Sequence, residues 1–173
     1  MLVLEEWERA VARGASILGE VLGAASNADA HHITAPSPGG VGATACMRLA
    51  LDDAGLAPSD IAQVNAHGTS TPLNDAAEAE AITKIFGTGG PPVTSTKGVT
   101  GHLVGAAGAV EAVIGLTCAT RGMVPPVANL TNPDPAVTVD LVRGEPRTIA
   151  PGPVVSNSFG FGGHNVTLVL VPT

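Results

Sequence analysis

IAQVNAHGTSTPLNDAAEAEAITKIF, residues 61 to 86, changes character twice. Ile61 to Val64 is a brief β-branched run and reads as a strand. Asn65 to Pro72 is dense in hydroxyls and reads as a loop, and Asp75 opens an alanine-rich helix that ends near Phe86. The same order recurs downstream. Val93 to Ser95 is strand-like, Lys97 to Gly101 is a glycine-containing turn, and His102 to Arg121 predicts a helix of small residues. A strand handing over twice to a helix through a polar loop points to an α/β layered domain. Working outward, Val41 to Gly55 carries Ala45, Leu49 and Ala50 on a helical period, with Gly55 and Pro58 as stop signals. Ser26 to Gly40 is a polar loop preceded by a strand pattern at Ser16 to Gly23. Met1 to Leu4 predicts a short strand, and Glu5 to Arg13 predicts a helix through Trp7, Ala10 and Val11. Beyond the long helix come a connection from Pro125 to Pro135, short strands near Val137 to Val142 and Val154 to Ser158, a glycine loop, and a last strand Val166 to Val171.

With 173 residues and 45% hydrophobic content, one compact core is expected. The net charge is −7 with only 8 Lys plus Arg, which offers no basic patch for nucleic acid or for an anionic membrane surface. An acidic partner would need a local basic patch. Cys46 and Cys118 lie in apolar helical patterns without a CxxC spacing, so neither a disulfide framework nor a zinc site is expected, and a reduced, cytoplasmic setting follows. Residues 1 to 14 lack the basic start of a signal peptide. The apolar stretch Leu103 to Cys118 is broken by Glu111 and falls short of the roughly 18 residues of a membrane span, so it reads as a buried helix. Each glycine there costs roughly 1 kcal/mol against alanine. Close approach to other backbones is the expected compensation, as for a central helix between two sheets.

Two loops in equivalent places deliver His67 and His102. An imidazole near neutral pH can exchange a proton or donate a hydrogen bond; a lone histidine after a strand is more often structural, and the paired loops and the adjacent lysine favour chemistry here. Lys97 stands five positions before His102, and an ammonium near an imidazole favours the neutral ring. Glu111, isolated in an apolar helix, would be satisfied by a buried ion pair with Lys97, although both could be solvated. Phe159 and Phe161 sit in a glycine loop whose N–H groups could approach a ligand or form a plain turn. GGVGATA at residues 39 to 45 imitates a dinucleotide loop, but Pro36 and Pro38 stand where a strand is required. Asp29, His31 and His32 read as a polar loop, and no metal site is expected.

Three segments, VNAHGTSTPLND, STKGVTGHLVGAAGAVEA and NSFGFGGHN, together resemble the β-ketoacyl-acyl carrier protein synthase II type within the thiolase-like superfamily. The resemblance runs through nearly the whole chain, including the VPP…NLTNPDP connection. It implies a thiolase-like fold, with residues 1–15 as the last strand and helix of a first half and 16–173 as the C-terminal half. It further implies decarboxylative condensation of malonyl and acyl thioesters in fatty-acid elongation. His67 and His102 resemble the pair that holds the malonyl thioester oxygen, Lys97 the supporting lysine, and Glu111 its partner. Thr69 and Thr71 resemble hydroxyls that bind pantetheine, Phe161 the gating aromatic that also lends an oxyanion N–H, and Phe159 its neighbour in the pocket wall. No cofactor is expected, since phosphopantetheine arrives on the acyl carrier protein. The nucleophilic cysteine and most of the homodimer contact belong to the N-terminal half in this family, and Cys46 and Cys118 do not match that cysteine. His164 stands where many relatives have threonine. A non-catalytic module that binds carrier protein or a synthase partner is the competing reading.

Overall fold

The computed structural model describes residues 2–173. Five strands form the main sheet in the order β1 (Gly19–Ala28), β7 (His164–Pro172), β6 (Val154–Gly160), β2 (Gln63–Asn65) and β3 (Val93–Thr94). β7 runs antiparallel to both β1 and β6, whereas β6, β2 and β3 are mutually parallel. Helices α2 (Val41–Ala54) and α3 (Pro72–Phe86) cover one face and α5 (Ala107–Arg121) the other. Two buried clusters follow from this layering. Met47, Leu51, Ile82, Val64, Val93 and Val155 fill the α2/α3 side, and Ala112, Ala119, Val154 and Leu170 the α5 side. The fold class read from the sequence is therefore correct: β2–α3–β3 is a crossover between parallel strands.

Helix α3 begins at Pro72, three residues before the expected Asp75, because a proline at the first helical position forfeits an N–H that has no partner anyway. α2 ends as expected, with Gly55 in the left-handed conformation at φ 65°. At Gly23 in β1, a Cβ would lie 2.5 Å from the Ala50 carbonyl oxygen of α2, so only glycine lets this helix lie so close on the sheet.

Other boundaries differ. His102 does not open the long helix. The stretch after β3 breaks into α4 (Lys97–Thr100), a bend at Gly101, a 3₁₀ turn Val104–Ala106 and then α5. α1 (Trp7–Ala12) forms, but residues 2–4 join no strand, and Val3 and Leu4 are exposed; Met1 lies outside the described residues. β1 runs on to Ala28, taking three residues from the expected loop, because it pairs with β7 as far as His164. Val137 to Val142 is not a strand and borders β3 through one bridge, Leu141 to Val93. The hairpin of β4 (Met123–Val124) and β5 (Arg147–Thr148) was not legible, two residues being too short for a periodic signal.

The long apolar helix also departs from expectation. Val104–Arg121 reaches 18 residues at a mean hydropathy of 1.2, long and apolar enough for a membrane span by length and composition. Yet α5 packs on the sheet through Ala107, Glu111, Ala112, Gly115 and Ala119. Among the described residues the main sheet covers one face of it. Its glycines do not all mark close approach: a Cβ at Gly108 would stand 3.0 Å from Ser158 Oγ, one at Gly115 would make ordinary contact, and one at Gly105 would meet open space.

Candidate functional site

The carboxyl ends of the parallel strands β6, β2 and β3 converge, the position where ligands bind in open α/β sheets. His67 follows β2 by two residues, Lys97 follows β3, and Phe159 lies near the end of β6. The rings of His67 and His102 stand edge to face with centroids 5.4 Å apart, and the Phe159 ring is 5.8 Å from that of His67. Lys97 Nζ lies 3.3 Å from His67 Nδ1 and pairs with the Glu111 carboxylate, both partners being buried. Gln63 and Asn65 on β2 donate to the carbonyl oxygens of Gly115 and Glu111, at 2.9 and 3.1 Å, which moors α5 so that Glu111 faces Lys97. The ion pair anticipated from sequence is present.

Hydrogen bonding decides the tautomers. The Lys97 ammonium has only protons to offer, so His67 Nδ1 accepts and the neutral ring carries its proton on Nε2. The Val104 N–H donates to His102 Nδ1 at 3.2 Å, with the same consequence. Val104 holds this bond at φ 52°, an uncommon conformation for a β-branched residue. Each ring thus keeps an Nε2–H free to donate. Burial first, then the Lys97 charge and then His102, lower the His67 pKa to about 3. The sequence reading anticipated the lysine effect; the larger contribution comes from desolvation, which required the fold.

Thr69 and Thr71 come together, their hydroxyl oxygens 2.9 Å apart, because Ser70 between them adopts φ 62°. Phe161 begins the turn joining β6 to β7 and is 79% exposed, unlike Phe159. Cys46 is buried with its Sγ 3.4 Å from the Ala25 carbonyl, and burial raises the thiol pKa of both Cys46 and Cys118. Asp29 accepts from Asn165 Nδ2 and the Ser37 N–H, and His32 Nδ1 from the Thr34 and Ala35 N–H groups, so this segment is an internally bonded loop. No group of three or more His, Cys, Asp or Glu side chains gathers among the described residues. A cleft of about 140 Å³ lies behind the His67 loop, between α3, β3 and residues 127 to 141.

One buried group went unnoticed in the sequence. Glu78, 4% exposed, accepts from the N–H groups of His67 and Gly68 at 2.8 and 2.9 Å. It falls on the stripe of α3 that carries Ala81 and Ile82 into the core, so a carboxylate on an apolar helical face was the available signal.

The profile described as "Beta-ketoacyl synthase, C-terminal domain" matches residues 18–131. The chain belongs to the β-ketoacyl synthase family. It is 51% identical over 170 residues to 3-oxoacyl-[acyl-carrier-protein] synthase 2 of Synechocystis sp., covering 97% of this chain and 41% of that protein. The crystal structure of a β-ketoacyl synthase from Burkholderia phymatum superposes with a TM-score of 0.93 at 43% identity, covering 98% of this chain and 41% of that one. A type II polyketide ketosynthase solved in complex with its acyl carrier protein gives 0.92 at 33% identity, covering 98% and 42%. The fold is thus that of the thiolase-like ketosynthases, and this synthase chain spans about two fifths of the length of these relatives.

Proposed function

We propose that the chain is the C-terminal half of a β-ketoacyl-acyl carrier protein synthase, which condenses malonyl-carrier protein with an acyl thioester in fatty-acid elongation once an N-terminal half supplies the nucleophilic cysteine. The observation that carries this reading is the pair of Nε2–H donors on His67 and His102, oriented by Lys97 and by the Val104 N–H. When the malonyl carboxylate leaves as carbon dioxide, the electron pair of the breaking C–C bond passes into an enolate. Two donors aimed at its oxygen stabilise that charge more than they stabilise the starting thioester. The carbanion then attacks the carbonyl of the acyl-cysteine, and the thiolate departs. A His67 held neutral acts as a hydrogen-bond donor throughout, so no proton need be removed before each turnover.

In this reading Lys97 orients His67, and Glu111 neutralises the buried ammonium. Thr69 and Thr71 bind the pantetheine arm, Phe159 walls the acyl pocket, and the exposed Phe161 gates it and lends a backbone N–H to the oxyanion. Residues 1–15 belong to the N-terminal half and 16–173 to the C-terminal one. The partner is an acyl carrier protein, as in the related polyketide complex, and the complete enzyme is a cytoplasmic homodimer. The raised thiol pKa of Cys46 and Cys118 supports a cysteine from elsewhere, since the thiolate is the nucleophile. The same observation favours the second reading, a module that binds carrier protein without chemistry. To decide, His67→Ala and His102→Ala are measured in the enzyme reconstituted with a cysteine-bearing first half. Each is expected to lower malonyl decarboxylation by at least on the order of 10²-fold; unchanged rates would remove both histidines from the reaction.

A further inference from the structure

Between the buried Lys97 and the buried Ala107, the stretch that carries His102 is exposed or half-buried at every position from 98 to 106. It is bonded chiefly to itself. The Gly101 N–H closes the single turn of α4 on the Lys97 carbonyl at 2.9 Å, the Val104 N–H reaches His102 Nδ1, and the Ala106 N–H reaches the Leu103 carbonyl at 3.0 Å. Among the described residues, one hydrogen bond ties this stretch to a distant part of the chain: Asn129 Nδ2 donates to the Gly98 carbonyl at 3.0 Å.

Asn129 suits that task in two ways. It sits at φ 64°, a left-handed conformation that asparagine adopts more readily than most residues, and its amide supplies the donor that a carbonyl needs. Glycine would keep the conformation without the donor, and aspartate would set an anionic oxygen against the carbonyl. The approach is close: a Cβ on Gly98 would lie 2.4 Å from the Ala128 carbonyl oxygen, so only glycine lets α4 come this near. The turn at Ala128 and Asn129 is itself moored to the sheet edge. The Val127 N–H donates to the Val142 carbonyl at 2.9 Å, and the Val142 N–H to the Val93 carbonyl of β3 at 3.0 Å. The edge of β3 thus holds, through this connection, the turn that follows it.

Resting on the enzyme reading above, we propose that Asn129 is a positioning residue for the condensation, acting through Gly98 and α4 on His102. It touches no reacting atom. Burial and the ion pair with Glu111 hold His67 and Lys97 in place, whereas the place of His102 Nε2 relative to His67 depends on this one bond.

The test removes the bond and keeps the backbone conformation. In the reconstituted enzyme, Asn129→Gly loses the donor and Asn129→Asp turns the attraction into repulsion. Each should lower kcat for malonyl decarboxylation by at least about tenfold, and by no more than on the order of the 10²-fold of a group misplaced by an ångström, with KM little changed. NMR on the same preparations gives a reading that general loosening would not. The His102 ring signals and their cross-relaxation with the His67 ring should change, while His67 titrates as in the wild type. Wild-type kcat in either folded variant, or unmoved His102 ring signals, would overturn the proposal. So would a variant in which the His67 titration also shifts, because the damage then spreads beyond His102. If one variant does not fold, the other decides by the same readings; failure of both to fold overturns the proposal, since the bond would then hold the domain and not the histidine. A wild-type enzyme without decarboxylase activity, in which Asn129→Gly still moves the His102 ring signals, defeats the enzyme reading and leaves the tie between Asn129 and His102 standing.

Discussion

His67 is buried against a positive charge and gains nothing that would reward protonation, so its proton affinity falls while that of the unfolded chain stays ordinary. Between pH 6.5 and about 3 the unfolded state binds a proton that the folded state refuses. The site therefore contributes its full stability above pH 6.5 and loses it as the pH falls toward 3. A pH titration of the ring followed by NMR should keep His67 neutral at pH 5, with a midpoint near 3; a midpoint near 6.5 would contradict the burial argument. His67, His102 and Lys97 were legible as residues in the sequence because strand, loop and helix signals placed them in equivalent loops. Their tautomers were not, because the Val104 N–H that fixes His102 depends on a positive φ in a valine, which no pattern announces. Glu78 was overlooked because its four donors come from three separate segments, the loop after β2, α3 itself and β6.

Helix α5 owes its place to polar contacts as much as to apolar ones. Gln63 and Asn65 hold its backbone, and Glu111 joins it to α4 through Lys97. A buried ion pair costs desolvation on both sides, and its loss is worse when one charge is left behind. Lys97→Met should destabilise the protein by about 3–5 kcal/mol in denaturant unfolding, because Glu111 remains buried without its cation. Lys97→Met combined with Glu111→Leu should recover most of that loss while leaving His67 without its donor. A single Lys97→Met no worse than about 0.5 kcal/mol, the range of surface changes, would mean that the pair is not buried as described. Elements with a long period, α2, α3 and β7, were readable because burial on one face imprints a repeat. The pieces that failed were short or depended on pairing: β4 with β5, the extension of β1 along β7, and the break after Gly101.

Taken whole, the molecule leaves apolar side chains in water on several sides. Leu18, Val99, Val104 and Phe161 are each more than 75% exposed, and Val99, Val104 and Phe161 lie close in sequence to the histidines and to Phe159. Such exposure is expected where a second layer of protein belongs. The chain spans about two fifths of its relatives' length, and neither of its thiols is activated. On the proposed function, this chain carries the donors for decarboxylation and a partner half carries the acyl-bearing cysteine. The most direct test is malonyl-carrier protein turnover by the 173-residue chain alone and mixed with a separately expressed cysteine-bearing first half. Carbon dioxide and β-ketoacyl product should form only in the mixture. No turnover in the mixture, with both halves shown to be folded and associated, would contradict the account and leave a binding module in its place.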